Sequence, residues 1–152
     1  DLDLSASERG TFLHRCFEVL GADSALMSRL LASSGMELDG STRLAIETGV
    51  TEFELWLRDY LSPVEIYREL PILARSDKGS LVSGIVDLFV RTDHGVWIID
   101  HKSDRIDDPE TAFKRYRPQL DAYVTALSQT GENVLGTGIN WISSGMVVLS
   151  RR

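Results

Sequence analysis

The chain has 152 residues, of which 43% are hydrophobic and 26% charged, and these values suit one globular domain with a single core. No apolar run approaches the ~18 residues that a membrane span needs, and the lone Cys16 excludes an internal disulfide or a cysteine-rich metal site. Residues 1–76 hold 13 acidic and 7 basic residues of a chain whose net charge is −7, so any nucleic-acid role needs a local basic patch or a tethered partner.

The first sixty residues show helical spacing of apolar side chains and predict four short helices, over residues 8–21, 24–33, 41–49 and 51–61. Ser7 is the predicted N-cap of the first helix and Gly21 its end, whereas Ser62-Pro63 ends the fourth. A helical segment is therefore expected over about residues 7–61.

The pattern then changes to alternation, which predicts three strands, over residues 65–73, 80–90 and 96–102. Pro71 marks the first of them as an edge or bulged strand. A turn at 91–95 joins the other two into a β-hairpin. Val86, Leu88 and Val90 fall at even positions, so they are expected to share a face. Both faces are largely apolar, which predicts a sheet covered on both sides.

After Pro109 an amphipathic stretch predicts one helix or two, with a break or kink near Arg117, because Pro118 suits the first turn of a helix better than its middle. The last residues predict two strands separated by a turn at 143–145. The order of helices, three strands, helix and two strands predicts an α/β fold. We expect a mixed central sheet over about residues 65–150, flanked by helices, with the helix from Pro118 crossing over it.

Two acids and a lysine stand out at the hairpin. Asp87 interrupts an apolar strand, and a buried carboxylate without a partner is costly. Counting from the turn puts Asp87 roughly opposite Asp100, with Lys102 on the same face of its strand. Two adjacent carboxylates repel each other unless a divalent cation binds, and oxygen ligands favour Mg²⁺, Mn²⁺ or Ca²⁺. Taken alone, Asp100 and Lys102 also fit a plain salt bridge at a strand end.

Four motifs occur in order along the chain: "GTFLH" ending at His14, "GIVDLFV" around Asp87, "WIIDHKS" around Asp100 to Lys102, and "RPQLDAY" from Arg117 to Tyr123. In this order they resemble the PD-(D/E)XK nuclease superfamily, and within it the RecB/AddA-like nuclease domain at the C-terminus of UvrD-type helicase–nucleases. The resemblance covers about residues 7–150 and implies a restriction-endonuclease-like core. It also implies that residues 1–152 form a single nuclease domain within a larger helicase–nuclease.

The resemblance implies a role for each matching residue. His14, Asp87, Asp100 and the backbone carbonyl of His101 would bind Mg²⁺ or Mn²⁺, whereas the His101 ring, which alternates away from Asp100, is not expected to be a ligand. Lys102 would position or activate water, and it would act with Asp87 and Asp100 as the catalytic set. The remaining implied contacts are with DNA, through Gln119, Tyr123, Lys114, Arg115 and Arg117.

Several of these residues keep open alternatives. Lys114, Arg115 and Arg117 also fit a solvated helix face, His14 taken alone also fits a surface or core-edge histidine, and Gln119 and Tyr123 also fit ordinary helix residues, with Tyr123 in the core. Glu69, on the first strand, is expected to be exposed, with an approach to the site as its alternative.

The resemblance predicts metal-dependent hydrolysis of DNA phosphodiesters, with single strands favoured, by an exonuclease or endonuclease of bacterial recombination and repair. Its expected setting is the cytoplasm, with a helicase motor in the same chain or complex and no membrane. Relatives that hold an iron–sulfur cluster use four cysteines, which this chain lacks. Two other interpretations remain: a non-catalytic DNA-guiding or structural module with a nuclease fold, and an acidic interaction domain whose charges form only surface salt bridges.

Overall fold

The computed structural model describes residues 5–75 and 81–152. Its helices are α1 (Ala6–Ala22), α2 (Met27–Ser34), α3 (Gly40–Trp56) and α4 (Pro109–Gln129), with a 3₁₀ turn at Ser24–Leu26 and a π-helical turn at Leu57–Leu61. Its strands are β1 (Glu65–Arg75), β2 (Leu81–Thr92), β3 (Gly95–Lys102), β4 (Val134–Trp141) and β5 (Met146–Arg151). None of these helices is long and apolar enough to cross a membrane.

The five strands form one mixed sheet in the order β1-β2-β3-β4-β5. The β1–β2, β2–β3 and β4–β5 pairs are antiparallel, whereas β3 and β4 are parallel and are connected by α4. This topology confirms the predicted mixed sheet flanked by helices, with β1 as an edge strand.

Each face of the sheet has its own apolar core. On one face, the helices α1 to α3 pack on residues such as Leu88, Val90 and Ile99. On the other face, α4 packs on a second group that includes Val86 and Ile98. The sheet is therefore covered on both sides, as the apolar strand faces predicted.

Two helix boundaries differ from the prediction. The N-cap of α1 is Ser5 and not Ser7, because Ser5 and Glu8 form a reciprocal capping box. The third and fourth predicted helices are one continuous helix, α3. Its single interior glycine, Gly49, costs only about 1 kcal/mol, and burial of Ile46 and Val50 on one face favours the helix on either side of it.

The predicted break near Arg117 does not occur, because α4 runs without interruption from Pro109 through Pro118; the kink, its alternative, stays a prediction. Asp108 caps its first turn by accepting hydrogen bonds from the Glu110 backbone and the Thr111 hydroxyl. Proline removes one backbone donor from the helix. Burial of apolar side chains on both sides of Pro118 compensates for this loss. The crossover over the sheet therefore begins at Pro109.

The side chains of β1 and β2 switch to opposite faces of the sheet at Glu69 and Asp87. Val86 packs on the α4 side, whereas Leu88 and Val90 pack on the opposite side, so the predicted single face for these three residues is wrong. The register continues unbroken from Arg68↔Leu88 to Leu70↔Val86 and passes over Glu69 and Asp87. Glu69 has a left-handed φ of 52°, which is uncommon outside glycine. Both strands therefore rotate together at this point, without an inserted residue.

Candidate functional site

The tight β2–β3 hairpin brings Asp87 and Asp100 to adjoining positions. Thr92 pairs with Gly95 at the turn, and the paired register ends at Leu88↔Ile99. Asp87 and Asp100 are the next residues on the two strands, as counting from the turn predicted. Asp100 is buried with 1% of its surface exposed, and Asp87 is half-buried.

Asp100 is held by side chains from β3 and α4. The Lys102 Nζ lies 2.5 Å from Asp100 Oδ2, and Gln119 Nε2 donates to Asp100 Oδ1 over 3.0 Å. The Gln119 amide also donates to the Tyr123 hydroxyl at 2.8 Å. Burial and the nearby Asp87 raise the pKa of Asp100 to about 6, even though Lys102 opposes the shift. The structure therefore brings four of the predicted site residues into one connected group.

Asp87 is contacted from the backbone of β3 and from α1. Its Oδ2 accepts a hydrogen bond from the His101 N–H at 2.7 Å and lies 3.7 Å from His14 Nδ1. Burial raises the pKa of Asp87, and this hydrogen bond and Lys102 lower it in part. Burial, followed by the charge of Lys102, lowers the pKa of His14 below its usual 6.5, which favours the neutral imidazole.

Gly10 explains how α1 comes close enough to place His14. A Cβ atom at Gly10 would lie 2.8 Å from the Ser103 Oγ, just beyond the end of β3. The helix can approach this closely because the residue there has no side chain. In the "GTFLH" motif, Gly10 therefore permits the close approach of α1 to the end of β3, and this approach places His14 beside Asp87.

The backbone of His101 faces Asp87, and its ring faces away. The Lys102 carbonyl accepts from Ile142 on the β4 side, so strand alternation turns the N–H and C=O of His101 towards β2. The ring lies among Phe17 and Phe53, and its Nδ1 is 3.0 Å from the Asn140 amide nitrogen. Burial lowers the pKa of His101 to about 3, so the ring is neutral.

The predicted basic cluster lies on the exposed surface of α4. Lys114, Arg115 and Arg117 are all exposed, and Arg117 pairs with Asp121, one turn further along the helix, at 3.7 Å. In the described part of the chain, none of the three forms an ion pair with Asp87 or Asp100. They stay candidate contacts for a long ligand, and the solvated helix face stays open as the alternative.

Two further residues lie near the site: Tyr116 was not predicted, and Glu69, which was expected to be exposed, is partly buried. Glu69 lies in the cleft with Asp87, and burial and Asp87 both raise its pKa. The ring of Tyr116 lies over the Lys102 ammonium, 4.8 Å from Nζ to the ring centroid. Its position three residues before Gln119 was the available signal, because residues three apart share a helical face.

An open cleft of about 410 Å³ leads to Asp87 between α1 and the β1–β2 pair. Its lining is formed by Gly10, Thr11, His14, Arg15, Glu18, Glu69 and Asp87. The cleft is thus acidic at its inner end, and an anionic ligand needs positive charge to enter it.

The donor atoms at this end of the cleft fit a hard divalent cation. The Asp100 Oδ2 atom is buried without a well-directed hydrogen bond, and its close neighbour is the Lys102 ammonium. Two carboxylates whose pKa values are both raised favour a shared cation, and oxygen donors select Mg²⁺ or Mn²⁺. Within residues 5–75 and 81–152, however, no three His, Cys, Asp or Glu side chains already enclose an ion. A cation would therefore replace contacts that Asp100 makes with the chain's own groups.

Comparison with known proteins gives the same family as the motifs. The sequence model of the PD-(D/E)XK nuclease superfamily matches residues 1–150. An ATP-dependent helicase/nuclease subunit from Streptococcus pyogenes serotype M12 (strain MGAS2096) is 25% identical over 139 residues, 84% of this chain and 11% of that protein. The protein of the same name from Clostridium botulinum (strain Loch Maree / Type A3) is 38% identical over 72 residues, 47% of this chain and 6% of that protein. The chain spans about a tenth of the length of such relatives, and it belongs to the PD-(D/E)XK nuclease superfamily.

Proposed function

We propose that the chain is a nuclease domain that hydrolyses DNA phosphodiester bonds with the help of Mg²⁺ or Mn²⁺. The observation that carries the proposal is the meeting of Asp87, Asp100 and Lys102 at the end of the β2–β3 hairpin, with the ammonium 2.5 Å from a buried carboxylate oxygen. Keeping two acids and a lysine in this position costs stability. A purely structural role does not compensate for this loss of stability.

Asp87, Asp100, His14 and the His101 carbonyl would hold the cation, which when bound neutralises phosphate charge and lowers the pKa of water. The chain's own groups have separate tasks. Lys102 presents a fixed positive charge to a phosphate that gains negative charge during the reaction.

Gln119 and Tyr123 support the site from α4. The Gln119 amide fixes one oxygen of Asp100, which leaves the other oxygen directed at Lys102. The Tyr123 hydroxyl accepts from the same amide and fixes its orientation. Lys114, Arg115 and Arg117 would guide the phosphates of a longer DNA segment along the exposed surface of α4.

Single-stranded DNA is the proposed substrate, cut by exonuclease or endonuclease action in recombination and repair in the bacterial cytoplasm. The names of the relatives support a helicase motor as partner. The net charge of −7 also supports a partner that delivers the strand, because an acidic surface repels DNA.

The alternative is a non-catalytic module with a nuclease fold that guides DNA. One observation favours it: Asp100 is already engaged by Lys102 and Gln119. The two functions differ in whether DNA is cut.

The test is cleavage of a labelled single-stranded oligonucleotide by the 152-residue chain, with Mg²⁺, with Mn²⁺ and with a chelator. The enzyme degrades the oligonucleotide only when metal is present. Asp100→Asn and Lys102→Met are each expected to lower the rate by at least about a hundredfold, since each removes charge used in the transition state.

Asp93→Asn is the matched control, because Asp93 is an exposed aspartate in the turn at the other end of the same hairpin. Its activity is expected to equal that of the wild type. DNA binding without metal-dependent cleavage in the wild type would establish the guiding module instead. Absence of both binding and cleavage would leave the acidic interaction domain.

A further inference from the structure

Lys102 is confined on two sides. Its Nζ lies 2.5 Å from Asp100 Oδ2 and 4.8 Å from the centroid of the Tyr116 ring. Its side chain is only 18% exposed. An ammonium over the face of an aromatic ring is attracted by the negative charge at the centre of that face. The carboxylate and the ring together therefore restrict where this flexible side chain can place its charge.

Tyr116 is itself fixed in position. Its hydroxyl donates to the Asp104 carboxylate, and its ring meets the Trp141 ring at 5.8 Å in an edge-to-face arrangement. Trp141 is fully buried on β4. Burial and Asp104 raise the pKa of Tyr116 to about 12, so its hydroxyl keeps the proton that it donates. The ring is therefore held by contacts at both ends, with Asp104 at the hydroxyl and Trp141 at the ring.

Tyr116 and Gln119 each contact one partner of the same ion pair. They are three residues apart on α4 and share a helical face. Gln119 donates a hydrogen bond to Asp100, and the Tyr116 ring contacts Lys102. One turn of helix thus sets the geometry of both charged partners.

We propose that Tyr116 is a positioning residue whose ring holds the Lys102 ammonium against Asp100 and fixes its direction of approach to a bound phosphate. The catalytic consequence rests on the proposed nuclease function, whereas the contact between ring and ammonium does not. The aromatic ring, and not the hydroxyl, is the group that matters for Lys102.

The contact is tested first without DNA or metal, by NMR of the chain labelled with ¹³C-lysine. The sequence has three lysines, so the Lys102 signals can be assigned with a Lys114→Arg variant and a Lys102→Arg variant. The ring current of Tyr116 is expected to shift the Lys102 ε-methylene protons upfield. Tyr116→Leu removes this shift and Tyr116→Phe retains it. An unchanged Lys102 signal in Tyr116→Leu would overturn the proposal.

The catalytic consequence is tested by steady-state kinetics on a single-stranded oligonucleotide with Mg²⁺. Loss of a partly desolvated cation–π contact is expected to lower kcat about five- to thirtyfold in Tyr116→Leu, with KM unchanged. Tyr116→Phe keeps most of kcat because it keeps the ring. Tyr116→Met is a second non-aromatic variant, in case leucine packs poorly on Trp141. Equal losses in Tyr116→Phe and Tyr116→Leu, or a change in KM alone, would contradict the proposal.

Tyr60→Leu is the matched control, because Tyr60 is an exposed tyrosine that stacks on Trp56 in the helical layer. It is expected to change neither the Lys102 signal nor kcat. If the wild type does not cut DNA at all, the proposed function fails, and the NMR result still decides whether the ring holds the ammonium.

Discussion

Asp100→Asn tests the electrostatic cost of the site without using its activity. Asparagine keeps nearly the same shape and an oxygen that can accept from Gln119, but it removes the negative charge. In the folded metal-free chain the pKa of Asp100 is raised to about 6 from an ordinary value of 3.8. The folded state therefore holds the Asp100 proton at pH values where the unfolded chain has released it.

The sign and size follow from linkage. A group whose pKa is raised by folding binds more protons in the folded state, so stability falls as pH rises from about 4 to about 6, and the loss persists above that range. Each pKa unit corresponds to about 1.4 kcal/mol. Ionisation of Asp100 therefore lowers the free energy of unfolding of the wild type by about 3 kcal/mol between acid and neutral pH. Asp100→Asn should lack this loss. Its melting temperature above neutral pH should exceed that of the wild type by about 5–10 °C.

The assay is thermal and urea-induced unfolding from about pH 4.5 to about pH 8 in a chelator. Asp93→Asn serves as the control, since this exposed turn residue should follow the wild-type curve. If Asp100→Asn has the same pH slope as the wild type, then Asp100 is ionised without penalty. The site would then need no cation to offset the burial of its carboxylates.

Three further expectations concern other parts of the site. Mg²⁺ should raise the melting temperature of the wild type but not of Asp87→Asn, because a ligand stabilises only the state that binds it; equal shifts would contradict this. Gly84→Ala should destabilise by about 1–3 kcal/mol, because a Cβ would lie 2.9 Å from the Tyr123 ring, whereas Gly49→Ala, which meets nothing within 4 Å, should not. Glu69→Asn should raise the free energy of unfolding by roughly 0.5–1 kcal/mol, since asparagine tolerates the left-handed conformation better. Urea-unfolding midpoints measure the effects of the glycine and Glu69 substitutions.

The pairing of Asp87 with Asp100 could be predicted because it depends only on local information. A short turn fixes the register of a hairpin, and the register fixes which residues adjoin. The same holds for the face of Lys102, which follows from strand alternation. The motifs then added His14, Gln119 and Tyr123, which are distant in sequence and could not be placed by counting.

The errors came from tertiary packing that a local pattern does not contain. Gly49 and Pro118 are unfavourable inside helices, yet burial of the apolar faces on either side outweighs their cost. The rotation of the strands at Glu69 and Asp87 breaks the alternation that predicted one face for Val86 and Leu88. Tyr116 was passed over because its partner, Lys102, lies on a different element.

The rotation at Asp87 also separates architecture from chemistry. Asp87 stands between the two apolar cores and contributes to neither, so replacing it opens no cavity in either of them. Under the proposed function, a substitution there should yield a well-folded protein that still binds single-stranded DNA but does not cleave it. Such a dead variant would serve as a trap for isolating the nucleic acid that the intact domain meets in the cell.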